Sequence, residues 1–254
     1  MDLGLDGRVY VVSGGSRGLG RATAEALVAE GARVVVLARD AAAVAVAISD
    51  LGEAAIGLPA DLADPTTADR AVALAREAFG RIDGGLISVG GPPAGSVLTT
   101  TDEQWRWAFE SVFLGSVRLA RALCTAVIAD GHDGAIAWVL STSAVEVFPG
   151  LTTSNGLRPG LGMLVKDLAD EVGPAGIRVI GLLPGRIATD RLAALDASTG
   201  DAEAARARAS ATIPLRRYGE PAEFGRTAAF VLSPAASYLT GGLIRVDGGS
   251  TRSL

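Results

Sequence analysis

Apolar residues along this chain fall into short dense runs, and between the runs they recur every three or four positions. The dense runs at 8–13, 33–38, 54–60, 84–90, 134–141, 176–183 and 243–246 predict strands. The first six are apolar at both alternating positions, the pattern of strands buried on both faces. The periodic stretches at 18–30, 41–51, 65–80, 102–130, 152–172 and 221–232 predict helices. Asp64 before Pro65 suits a cap followed by proline in the first helical turn, and Gly31 suits a helix stop. Residues 200–211 are rich in alanine and charge, and predict a helix that moves over the ligand region.

Strand–helix alternation of this regularity predicts an α/β fold. Its form is a single Rossmann-type, doubly wound parallel sheet of about seven strands with helices on both faces. No linker or repeat divides the 254 residues, so 1–254 reads as one domain with a mobile substrate lid at 186–218. Ligands of such sheets gather at the carboxyl ends of the strands.

Composition narrows the partners. A net charge of -5 speaks against nucleic acid or an acidic membrane surface as the main partner. Cys124 is the only cysteine, which leaves no internal disulfide and no thiolate metal cluster. No run approaches the ~20 apolar residues of a membrane span. The start Met1-Asp2-Leu3-Gly4-Leu5-Asp6 lacks the apolar core of a signal peptide. A soluble, cytoplasmic protein acting on a small molecule is expected. Lys166 is the only lysine, so arginine carries almost all positive charge.

The most specific stretch is Ser13-Gly14-Gly15-Ser16-Arg17-Gly18-Leu19-Gly20, set between the first predicted strand and the first predicted helix. Glycines there permit a tight turn and let backbone N–H groups approach a pyrophosphate at the positive end of the helix dipole. With Gly14, Gly18 and Gly20, this loop resembles the T-G-x-x-x-G-x-G of the short-chain dehydrogenase/reductase family, Ser13 replacing threonine. Further motifs agree in order: Asp61-Leu62 after the third strand, Pro184-Gly185 with Ile187 and Thr189, and Val246-Asp247-Gly248-Gly249 near the end. With Ile213-Pro214-Leu215 and Gly219-Glu220-Pro221, the chain resembles the ketoacyl-carrier-protein reductases of that family in particular. The resemblance implies that Gly14, Ser16, Arg17, Gly18, Leu19 and Gly20 hold phosphates. It places Asp61 and Leu62 at adenine, and Gly90, Pro184, Gly185, Ile187 and Thr189 at the nicotinamide half. It also implies a homotetramer or homodimer.

Cofactor choice follows from charge. An NAD site needs a carboxylate at the end of the second strand for the ribose 2′-hydroxyl. Ala38 stands there, with Arg39 next and Arg17 in the loop. Guanidinium groups match a 2′-phosphate with paired donors, so NADP(H) is the expected cofactor.

At the chemistry the pattern departs from the family. Ser141 matches the family's serine, but Ser154 stands for the tyrosine and Arg158 for the lysine. Val112 stands for the helix asparagine, and the usual N-N-A-G reads Ile87-Ser88-Val89-Gly90. Ser154 and Arg158 keep the spacing that puts both on one helix face. A serine hydroxyl is a poor acid at neutral pH, and arginine does not relay protons. Ser141 reads as a donor to a substrate carbonyl or as a strand-end hydroxyl satisfying backbone. Ser154 reads as a reacting group or a small pocket residue, and Arg158 as a ribose or substrate-anion contact or a solvated side chain. Three functions stay open: an NADP(H)-dependent oxidoreductase with a modified mechanism, a cofactor-binding sensor or scaffold, and a non-redox enzyme on the same fold.

Overall fold

The computed structural model describes residues 2–91 and 94–253. Its strands are β1 (Val9–Ser13), β2 (Arg33–Ala38), β3 (Ala55–Pro59), β4 (Gly84–Ile87), β5 (Gly134–Val139), β6 (Ile177–Pro184) and β7 (Leu243–Val246). They form one parallel sheet in the order β3-β2-β1-β4-β5-β6-β7. The helices are α1 (Gly18–Ala29), α2 (Ala41–Leu51), α3 (Thr67–Phe79), α4 (Asp102–Ala108), α5 (Gly115–Asp130), α6 (Thr152–Val172), α7 (Asp190–Ala197), α8 (Ala202–Thr212) and α9 (Pro221–Leu232).

Alternation along β1 shows how both faces are covered. Val9 and Val11 join a cluster with Leu123, Ile136, Trp138 and Leu161, under α5 and α6. Tyr10 and Val12 point the other way, into a cluster with Leu27, Val34, Phe224 and Leu232 under α1 and α9. Two cores back to back make every central strand apolar throughout, as the sequence pattern requires.

Several expectations about helix and strand ends need correction. α3 begins at Thr67, so Pro65 lies before the helix and Thr66 is the capping position. The Asp64 carboxylate closes a turn instead, accepting from the Thr66 N–H and hydroxyl, each at 2.9 Å. The fourth and fifth strands end earlier than their apolar runs. Ser88 leaves the ladder because its N–H donates to Ser13 Oγ, and Ser141 Oγ accepts from Ser143 N–H to start a tight turn.

The stretch 102–130 is not one regular helix, because a π-helical turn over Phe109–Leu114 separates α4 from α5. This stretch also corrects the hydropathy reading: by length and composition it could cross a membrane, with a window of mean hydropathy 1.7. Half of that window is buried within the protein, Leu119, Leu123 and Val127 lying in the core.

The amino ends of the strands are tied by Asp83, which is fully buried. Its carboxylate accepts from Val9 N–H at 2.9 Å, from Arg8 at 3.1 Å and from both Arg81 Nε and Nη2, at 2.8 and 2.6 Å. Its bond to Arg81 raises that guanidinium above its ordinary value. Asp83→Ala strands a buried N–H and should lower stability by about 3 kcal/mol. For a chain of this size that is a fall of roughly 6–12 °C in thermal midpoint by circular dichroism. An unchanged midpoint would remove Asp83 from this role.

Candidate active site

The sheet order reverses between β1 and β4, which opens a crevice at their carboxyl ends. The glycine loop leaves β1 there and is clamped to the segment after β4. Ser13 Oγ donates to Ser88 O and accepts from Ser88 N–H, both at 2.9 Å. Only glycine suits position 14, where φ is +61° and an added Cβ would lie 2.8 Å from Ser88 O. At position 20 a Cβ would lie 2.4 Å from Gly14 O, so Gly20 lets the helix start pack onto the turn.

The N-terminus of α1 is left open. Arg17 occupies the capping position with no side-chain cap, and the first turn carries no acid. By contrast α2, α7 and α8 are capped by Asp40, Thr189 and Asp201. The first N–H groups of α1 therefore lack side-chain partners beside a glycine turn, an arrangement suited to an anion.

Two exposed arginines flank this point. Arg17 Nη2 lies 3.6 Å from Asp40, and Arg39 Nη1 lies 4.0 Å from Asp61. Asp61 also accepts from Ala63 N–H at 3.0 Å. Leu62 is buried in the core, so only its backbone can face a ligand.

Across the crevice, Thr189 Cγ2 would lie 3.6 Å from a Cβ on Gly18, and Ser16 and Leu19 are half-buried on the loop. Ile187 is buried and bridges to Gly219, Gly185 N–H donates to Pro184's neighbour strand at Val246 O, and Gly90 faces open space.

At the same edge, α6 brings the remaining side chains together. Ser154 and Arg158 are both buried, one turn apart. Ser154 Oγ hydrogen-bonds Ser143 Oγ at 2.8 Å, and Ser143 N–H donates to Ser141 Oγ at 3.1 Å. Ser143 thus joins Ser154 through its hydroxyl and Ser141 through its backbone N–H. Arg158 Nη1 donates to Val139 O at 2.5 Å and Nη2 to Val89 O at 3.4 Å, while its buried Nε has no partner. Burial, with the nearby Arg191 cation adding to it, pushes the Arg158 guanidinium down to about 10. It stays charged at neutral pH, and no carboxylate pairs with it among the described residues. The solvated alternative for Arg158 is excluded.

Sequence reasoning missed three contributors. Ser143 belongs to the turn after β5, and only the fold shows that it meets Ser154. Asn155 clamps the same loop, its Oδ1 accepting from Phe148 N–H at 3.0 Å and its Nδ2 donating to Phe148 O at 2.8 Å. Arg191 comes from α7 and donates to Gly91 O at 2.5 Å.

None of the three tyrosines hydrogen-bonds Ser141, Ser143, Ser154 or Arg158. Tyr10 is buried and donates to Leu232 O, Tyr218 donates to Asp196, and Tyr238 is fully exposed near β7. Val112 lies in the π-helical turn with no exposure. Glu146, the acid nearest Ser141 in sequence, instead accepts from the N–H groups of Arg252 and Ser253.

The profile of the family described as enoyl-(acyl carrier protein) reductase matches residues 14–251. The chain belongs to the short-chain dehydrogenase/reductase family. It is 34% identical over 247 residues to the short-chain reductase protein NovJ of Streptomyces niveus, covering 95% of this chain and 93% of that one. It is 32% identical over 248 residues to the 3-oxoacyl-[acyl-carrier-protein] reductase FabG of Escherichia coli, covering 97% and 98%. L-sorbose reductase from Gluconobacter frateurii, solved with NADPH and L-sorbose, superposes with a TM-score of 0.95 at 31% identity over the whole of both chains. The 3-ketoacyl-(acyl-carrier-protein) reductase from Brucella melitensis, solved with NADH, gives 0.87 at 28% identity, covering 97% of this chain and 99% of that one. This family member therefore keeps the fold while carrying serine and arginine at positions 154 and 158.

The Asn155 clamp is directly testable. Asn155→Ala removes two hydrogen bonds and should cost about 1–3 kcal/mol. Hydrogen exchange at the Phe148 amide should speed up accordingly, and unchanged exchange there would contradict the clamp.

Proposed function

We propose that this protein is an NADP(H)-dependent oxidoreductase that interconverts a carbonyl and an alcohol, with a cation in place of the usual proton-donating pair. The observation that carries this reading is the placement of an open phosphate cradle and the Ser141–Ser154–Arg158 cluster at one edge of the sheet. The uncapped α1 N-terminus and its glycine turn fit a pyrophosphate. Arg17 and Arg39, loosely paired and exposed, fit a 2′-phosphate at the end of β2, where Ala38 offers no carboxylate. Asp61 with the Leu62 backbone is assigned to adenine, and Gly90, Pro184, Gly185, Ile187 and Thr189 to the nicotinamide half.

When bound, NADP(H) supplies the hydride for the substrate carbon. The protein handles the charge on oxygen. Ser141 Oγ accepts from Ser143 N–H, which leaves its own O–H to donate to a substrate carbonyl. The Ser143–Ser154 pair shares one hydrogen between two oxygens, so one further O–H remains to donate. Arg158 supplies a fixed positive charge in a dry setting, where stabilising a developing alkoxide is worth roughly 10²–10³ in rate. Water delivers the proton through the Ser143–Ser154 hydroxyl pair. Absence of a positioned acid forfeits about 10²–10⁴ of rate, so turnover should be slow beside that of a tyrosine-bearing enzyme.

Two results test this reading. NADPH should be consumed with a carbonyl panel and should bind more tightly than NADH. Arg17→Ala with Arg39→Ala should weaken NADPH at least tenfold by fluorescence titration and leave NADH unchanged. Equal affinity for both cofactors in the unaltered protein would overturn the assignment to NADP(H). Tight NADPH binding with no turnover would leave a cofactor-binding protein without redox chemistry.

A further inference from the structure

The excursion between β6 and α9 carries two helices with almost no core of their own. From 188 to 217 only Asp196 and Ile213 are buried; α7 buries Asp196 alone and α8 nothing. A helix ordinarily docks by burying an apolar face, and a segment without one opens at low cost. The buried anchor of α7 is instead a carboxylate. The excursion spans the crevice. Thr189, which caps α7, approaches Gly18 at the start of α1, and Arg191 donates to Gly91 O beyond β4. How α7 sits therefore decides how the crevice is covered.

Asp196 meets Tyr218, which is 2% exposed and lies just before α9. The phenol stands 3.2 and 3.1 Å from the two carboxylate oxygens, and as the only donor of the pair it donates to them. Its own oxygen accepts from Arg186 Nη1 at 3.2 Å, and the same Nη1 lies 3.5 Å from Asp196 Oδ1. The Arg206 guanidinium, from α8, sits 4.9 Å from the centre of the Tyr218 ring, and that of Arg186 sits 5.8 Å away. One buried phenol thus gathers the residue after Gly185, both helices of the excursion and the segment leading into α9. At the stem, Ala188 N–H donates to Gly219 O at 2.8 Å and Gly219 N–H to Arg186 O at 3.0 Å. Backbone bonds fix the stem, and the side chains around Tyr218 fix the helices above it.

We infer that Tyr218 and Asp196 are positioning residues, a pin that holds the α7–α8 excursion closed over the crevice and so retains a carbonyl substrate beside the cofactor. The retention of substrate rests on the reductase reading above. Neither residue hydrogen-bonds Ser141, Ser143, Ser154 or Arg158, so the pin acts on retention and leaves the chemical step alone. Breaking it lets α7 and α8 lift while β6 and α9, which carry their own buried apolar residues, stay folded. Substrate affinity then falls in proportion to the closed fraction.

The test compares Tyr218→Phe, Asp196→Ala and the double variant with the unaltered protein. Trypsin is the first probe, because Arg206 and Arg208 are exposed on α8 and cleavage there follows the population of the opened form. Each single variant should be cut at these sites at least tenfold faster, as expected for losing a hydrogen bond to a charged group. The double variant should fall well short of the product of the two effects, because the residues share one contact. With a carbonyl substrate that is turned over, KM should rise at least threefold in each single variant while kcat stays within twofold. Unchanged cleavage, or effects that multiply in the double variant, would overturn the pin. Faster cleavage with KM unmoved would overturn its role in retaining substrate and leave the reductase reading intact. Where no carbonyl is turned over, the reductase reading fails, and the cleavage comparison still decides whether Tyr218 and Asp196 hold the excursion closed.

Discussion

A guanidinium held at the carboxyl edge of the sheet, with no carboxylate partner among the described residues, governs the architecture of this site. Arg158 ties α6 to the ends of two neighbouring strand segments through Val139 O and Val89 O. That docking fixes the first turns of α6, and with them Ser154, against the turn after β5. Burial lowers the guanidinium to about 10, so the fold works against its charged form without neutralising it at physiological pH. A fold tolerates such a group when the charge serves something other than stability.

The two ends of the sheet treat buried charge in opposite ways. At the amino ends, Asp83 is surrounded by two guanidinium groups and a backbone N–H, so its charge is fully answered. At the carboxyl ends, Arg158 meets only neutral carbonyls among the described residues, and its Nε has no partner there. The α1 N-terminus beside it is likewise uncapped, unlike α2, α7 and α8. An uncapped helix start and a buried guanidinium with no carboxylate partner among the described residues thus share the carboxyl edge, where a parallel sheet receives ligands.

Strand and helix identity were legible because they rest on local pattern. The expected 33–38, 41–51, 152–172 and 243–246 coincide with β2, α2, α6 and β7. The ends that shifted include those where a side chain captures backbone groups: Asp64 before α3, Ser13 at the end of β4, and Ser141 after β5. The π-helical turn at Phe109–Leu114 left no periodic signal strong enough to distinguish it from continuous helix. Ser141, Ser154 and Arg158 were legible through motif spacing. Ser143 and Arg191 were not, because the first acts through a turn and the second arrives from a distant helix. The meaning of Glu146 was likewise hidden, since its partners are backbone amides near the chain's end.

The central claim is that a fixed cation replaces proton donation by a tyrosine–lysine pair. Single-turnover hydride transfer from bound NADPH, compared between the unaltered protein and Arg158→Gln, tests it most directly. The account predicts a fall of about 10²–10³ in the rate of the chemical step. NADPH affinity should change by less than tenfold, because the glycine loop, Arg17 and Arg39 are untouched. Equal single-turnover rates in the two proteins would contradict it.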